Sequence, residues 1–254
     1  RSYNGIGNMY LIKDLGELGT SAIPALVQIL IRVSRDEDHY VSNIAVEALR
    51  KMGPAVKVAV PALIEALGDE NPWVRHNAAE VLGKIGPAAK DAVHALAEVV
   101  LEYYEDSREY ITSVAAEEAV AALGEIGQAA KDAVPTLVKV LGSKDNLLDE
   151  KVAEALGKIG PAAKEAVPAL VKIKALGCLS VRVEAGIALR KIGPATKEAL
   201  PDLVRALRDE NSDVRYEAVN ALEEIGPVAK DAVQALMRAM EDERLSVRQI
   251  AART

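Results

Sequence analysis

Apolar residues recur along the chain as two stripes per block. In residues 53–86, Val60, Leu63, Ile64 and Leu67 stand at i, i+3, i+4 and i+7, the spacing of one face of an amphipathic helix. A polar stretch over residues 69–72 follows, and then Val74, Ala78, Val81, Leu82 and Ile85 form a second apolar stripe. Strand signals are absent along the whole chain. Each block therefore predicts two helices joined by a short turn.

The block repeats. A glycine closes each second stripe, at Gly19, Gly53, Gly86, Gly127, Gly160, Gly193 and Gly226, with spacings of 34, 33, 41, 33, 33 and 33 residues. Proline follows directly at Pro54, Pro87, Pro161, Pro194 and Pro227, and again eight residues after the glycine at Pro61, Pro135, Pro168 and Pro201, with Pro24 in the same part. Glycine suits the residue just past a helix, and proline the first turn of the next. Because proline breaks a helix interior, Pro61 predicts a first helix that starts there, behind a short turn over residues 55–59. The block holding Pro24 has four extra residues and the block holding His94 has eight. These are close to one and two helical turns, so the first helices are expected to be extended near Ile31 and over residues 101–105, with flexible loop insertions as the alternative.

Composition narrows the picture. Half of the 254 residues are apolar, which excludes wholesale disorder, yet there is no Phe and one Trp, so the core must be built from small side chains. One cysteine, Cys178, excludes an internal disulfide, and it is read as a small, partly buried apolar residue. No stretch approaches about 18 apolar residues free of charge, so no membrane span is expected. The net charge of −7 disfavours a nucleic-acid partner. The chain begins with Arg1 and carries no signal peptide, so a fragment or processed form, cytoplasmic rather than secreted, is expected.

The segment Asp69-Glu-Asn-Pro-Trp-Val-Arg75-His-Asn-Ala-Ala-Glu-Val-Leu-Gly-Lys-Ile-Gly86 resembles a HEAT repeat, above all the short bacterial kind also called phycobilisome-lyase-like HEAT repeats. The resemblance covers essentially the whole chain. It implies an all-α fold, a right-handed α-solenoid of about seven stacked antiparallel helix pairs forming one domain over 1–254. The expected units are 1–19 (partial), 20–53, 54–86, 87–127, 128–160, 161–193, 194–226 and 227–254 (truncated), so the native protein is expected to continue beyond one or both ends. The family pairs an Asp with an Arg six residues later; Asp69/Arg75, Asp209/Arg215 and Asp242/Arg248 match, and Ser143/Asp149 departs. These pairs imply a structural ladder tying successive turns together, one that lapses in the middle blocks.

The resemblance also places the second helices on the inner, concave face. Just after the Arg position stand Asn43, His76, Glu117, Glu150, Val183 and Tyr216; next come Ile44, Asn77, Glu118, Lys151, Glu184 and Glu217; four beyond the first row come Glu47, Glu80, Ala121, Glu154, Ile187 and Asn220. This lining is acidic, and a basic peptide or protein patch is its natural complement. Five of the eight aromatics, Tyr40, Trp73, Tyr103, Tyr104 and Tyr110, fall in one stretch and suggest a binding patch at the inter-helix-turn rim. Partner-binding candidates are thus Tyr40, Trp73, His76, Glu80, Tyr103, Tyr104, Tyr110, Glu117, Glu150, Glu154, Tyr216 and Glu217.

Catalytic signals are poor. There is no phosphate loop and no nucleophile elbow, and His39, His76 and His94 lack ligand spacing, so no catalytic residue, metal or cofactor is assigned. The expected function is a non-enzymatic protein–protein interaction scaffold. The alternatives are a phycobilin lyase-like, chromophore-handling protein and a HEAT-repeat segment of a larger enzyme or complex. Nucleic-acid binding and an artificial consensus scaffold rank lower.

Overall fold

The computed structural model describes residues 19–35, 39–51, 53–106, 110–143, 145–193, 200–225 and 232–254. Among them every regular element is helical. Two compact units are distinguished, residues 1–133 and 134–254.

Among the described residues the first unit holds three helix pairs: α1 (Ile23–Arg35) with α2 (His39–Lys51), α3 (Val60–Leu67) with α4 (Pro72–Ile85), and α5 (Val93–Asp106) with α6 (Tyr110–Ile126). The second holds α7 (Val134–Val140) with α8 (Asn146–Ile159), α9 (Val167–Leu176) with α10 (Leu179–Ile192), α11 (Leu200–Ala206) with α12 (Ser212–Ile225), and α13 (Val233–Ala239) with α14 (Leu245–Arg253). The eight residues of α3 start one residue before Pro61, behind a 3-10 segment over Gly53–Ala59. Proline in the first turn costs no intrahelical hydrogen bond, so the block splits where its second proline stands. The extra residues lengthen helices as expected: α1 has 13 residues and α5 has 14. The second helix α6 is also longer, 17 residues against 14 in α4.

The repeat glycine has a conformational cause. Gly86 and Gly160 take φ 66°, ψ −139° and φ 68°, ψ −140° at the end of α4 and α8, a region closed to residues with a Cβ. The chain reverses there into the next 3-10 segment. A second glycine in the motif acts by proximity: a Cβ on Gly83 would stand 3.1 Å from Ala122 Cα, and one on Gly157 would stand 3.0 Å from Ala188 Cα. Within each unit, α6 thus packs tightly along α4, and α10 along α8.

Side chains such as Leu30, Leu63, Leu82, Leu96, Leu123, Leu148, Ala119 and Ala153 fill the interior. At roughly 25 cal/mol per Å² of buried apolar surface, the leucines supply most of the drive and the alanines set the spacing. One buried polar link crosses the first unit: Asn77 on α4 donates to Ser34 Oγ on α1 (2.8 Å), and Ser34 donates to Leu30 O (2.6 Å).

Candidate interaction surface

Two of the turns between paired helices, at residues 69–71 and 209–211, are built on Asp-Glu-Asn. Asn71 caps α4 by accepting from Trp73 N–H (2.8 Å), and Asp69 Oδ1 accepts from Asn71 N–H (3.0 Å). Asn211 and Asp209 repeat this at α12, with 2.8 and 2.9 Å. An N-terminal cap satisfies amides that the helix leaves open, and each is worth about 1 kcal/mol.

The ladder arginines read backbone carbonyls in their own turn, and Arg215 also grips a carboxylate in the next one. Arg75 Nη1 donates to Asp69 O (2.8 Å) and Glu70 O (3.2 Å), so its partner in the Asp69/Arg75 pair is the aspartate carbonyl. Arg248 does the same with Asp242 O (2.8 Å) and Glu243 O (2.9 Å). Arg215 contacts Asp209 O (2.9 Å) and Glu210 O (3.0 Å), and also reaches the next turn, with Nε at 2.6 Å from Asp242 Oδ2 and Nη2 at 3.2 Å from Asp242 Oδ1. Arg35, exposed at the end of α1, also pairs with the Asp69 carboxylate through one nitrogen. Arg215 holds the Asp242 carboxyl below its usual range. Burial pushes Asp69 up, but Arg35 and the Asn71 amide outweigh it and leave that carboxyl lowered.

Where the ladder lapses, the turn is tied with reversed polarity. Asp149, only 2% exposed, stands in the arginine position and accepts from Gly142 N–H (2.8 Å) and Ser143 Oγ (3.3 Å). Burial raises its carboxyl despite these donors.

The expected partner-binding residues separate into three groups. In the first unit, Glu80 on α4 is half-buried, and its carboxyl is raised by burial first and then by the charges of Glu118 on α6 and Glu47 on α2, against His76 and Lys84. Three second helices therefore bring carboxylates together, and the neighbour on α6 is Glu118 rather than Glu117. His76 stands beside this row, its ring edge-on to Trp73 at 5.8 Å and its Nδ1 3.3 Å from Val114 O. Trp73, Tyr103 and Tyr104 are partly exposed near the rim. The side chains of Tyr40 and Tyr110 lie outside the described residues.

In the second unit the lining changes character. Glu150 is half-buried, and Glu154 is ion-paired with Lys158 at 2.8 Å one turn along α8, which lowers its carboxyl. Tyr216 carries the Arg244 guanidinium 4.7 Å above its ring.

Two expectations are corrected. Glu217 is 7% exposed and pairs with Lys174 of α9 at 2.8 Å, so it joins two helices and does not face a partner. Cys178 is exposed, because it caps α10 from the turn; the Ser180 hydroxyl at 3.5 Å and the helix-head amides hold its thiol below the ordinary value. Among the described residues no group of three or more His, Cys, Asp or Glu is placed to hold a metal ion, and no helix is long and apolar enough to cross a membrane.

Repeated helix pairs closed by glycine, with capped turns tied by arginine, define a helical-repeat protein. The chain belongs to the HEAT-repeat family, whose model matches residues 23–118, 113–176 and 173–254. Among solved structures it is similar to an engineered protein (26% identity, TM-score 0.47, covering 76% of this chain and 94% of that one). It is similar also to the complex of CpcE and CpcF of phycocyanin lyase from Nostoc sp. PCC7120 (26% identity, TM-score 0.46, 76% and 74%). A structure concerning the interaction between cadherin and beta-catenin matches at 20% identity and TM-score 0.42, over 87% of this chain and 50% of that one. No curated protein sequence matches.

Proposed function

We propose that the chain is a protein-interaction scaffold that captures a basic segment of a partner protein on the second-helix face of its first unit. The observation that carries this reading is the placement of Glu47, Glu80 and Glu118 on three successive second helices, where burial first, and then the charges of Glu118 and Glu47, raise the Glu80 carboxyl against His76 and Lys84. Like charges gathered on one face are unfavourable in the free protein, and a bound cationic segment relieves them. Trp73 and His76, in edge contact beside this row, supply an apolar anchor next to the charge.

A fluorescent lysine- and arginine-rich peptide of about 15 residues is a suitable probe, titrated at low and at physiological salt. Binding is expected to weaken with salt and to fall about tenfold in Glu118→Gln. Trp73→Ala is expected to weaken binding more than it lowers the melting temperature. Salt-independent binding, or binding untouched by both substitutions, contradicts the reading.

A further inference from the structure

In the second unit one junction between helix pairs departs from the others at several positions at once. Arg190 on α10 stands where Gly83 and Gly157 let the following second helix approach in α4 and α8. Lys174 stands in the register of Leu67, Leu141 and Leu207, at or just past the ends of three other first helices, and Gly186 in the register of Ala153 and Val219 on second helices. The Lys174 stem uses the space left by Gly186, since a Cβ there would lie 3.4 Å from its Cε. Its ammonium then pairs with Glu217 of α12 at 2.8 Å. Accordingly, α12 packs across α9 rather than along α10.

The consequence is an open flank on α10. Leu179 is 77% exposed and Val183, one turn later, 52%; Arg182 and Arg190 on the same helix are exposed too. Val183 and Ile187 occupy the register that holds His76 and Glu80 in α4, and Glu150 and Glu154 in α8. On α10, apolar and cationic side chains thus replace the acidic row. Lys191 is turned toward α8, its Cδ 3.4 Å from a Cβ built on Gly157, and Glu184 is half-buried.

We propose that this flank of α10 docks an acidic amphipathic helix of a partner protein. Apolar residues of that helix, spaced i and i+4, seat on Leu179 and Val183, and its carboxylates face Arg182 and Arg190. The charge complementarity is opposite to that of the first unit. The two readings therefore stand or fall separately.

The probe is a fluorescein-labelled helical peptide of about 18 residues, with leucine at i, i+4, i+7 and i+11 and glutamate at the flanking positions, titrated by anisotropy against the full chain. A control peptide carries lysine for glutamate. The glutamate peptide is expected to bind, to lose about tenfold in affinity with Val183→Glu, and to lose binding with Arg182→Glu combined with Arg190→Glu. Leu179→Glu, in the first turn of α10, repeats the test should Val183→Glu disturb the circular dichroism spectrum. The proposal is overturned if the glutamate peptide does not bind, if neither Leu179→Glu nor Val183→Glu weakens it, or if these variants weaken the lysine peptide instead. Sedimentation showing self-association that Val183→Glu abolishes also overturns it, because the occupant would then be a second copy.

Discussion

Arg215 shows how one side chain can join two turns. It donates to carbonyls at residues 209 and 210, and through Nε and Nη2 it also grips Asp242 of the next block. The pair is well shielded, with side-chain exposures of 11% and 9%, so water screens it less than an ordinary surface pair. Arg215→Ala is expected to cost about 2 kcal/mol in urea unfolding, since hydrogen bonds to charged groups are worth about 1.5–3 kcal/mol and a part-buried carboxylate loses its donor. The pH dependence has a definite sign. Asp242 is held below its ordinary range in the folded state, so its contribution is present at neutral pH and is lost as pH falls through the depressed folded value. Arg215→Ala should therefore flatten the acid limb of the stability curve, and an unchanged acid limb would show that the pair contributes nothing there. From sequence, the Asp and Arg positions of this ladder are visible but their true partners are not. Asp242 lies 27 residues beyond Arg215, and repeat spacing alone does not distinguish it from Asp209.

Helices and their limits follow closely from local physics. Proline at two repeat positions and glycine at the helix end mark where each pair begins and closes, and the extended α1 and α5 follow from residue counts near whole turns. What stays hidden is which helix a given face meets. The pairing of Glu217 with Lys174 spans 43 residues, and it depends on α12 crossing α9, which no helical period reports. The sequence places Cys178 in the turn ahead of α10, but its exposure there depends on which neighbouring helices cover that turn, and no helical period reports that. At this scale two glycines separate by mechanism. Gly157→Ala should destabilise by about 1–3 kcal/mol through overpacking on Ala188, and Ala188→Gly should partly rescue it. Gly160→Ala should cost about 1–3 kcal/mol through backbone strain, with no rescue from Ala188→Gly. Equal rescue of both by denaturant unfolding would refute the distinction.

Across the whole chain, the net charge of −7 is unevenly arranged. In the first unit Glu80 feels the charges of Glu118 and Glu47 as well as those of His76 and Lys84, whereas in the second Glu154 is ion-paired with Lys158 and α10 turns apolar and cationic. The sequence register identified the rows but not this division, because it does not report which charges of neighbouring helices come near one another. A surface kept for a partner at the expense of stability has a measurable signature. The Glu80 carboxyl is raised by burial and by its acidic neighbours, so its ionised form is disfavoured in the folded state, and stability from this group decreases as pH rises through the raised value. The most direct measurement takes Glu80→Gln and records, at neutral pH, both its urea unfolding midpoint and its affinity for the basic peptide. The midpoint is expected to rise slightly while affinity falls about tenfold. A lower midpoint, or an affinity equal to that of the unsubstituted chain, would contradict the assignment of this face to a basic partner.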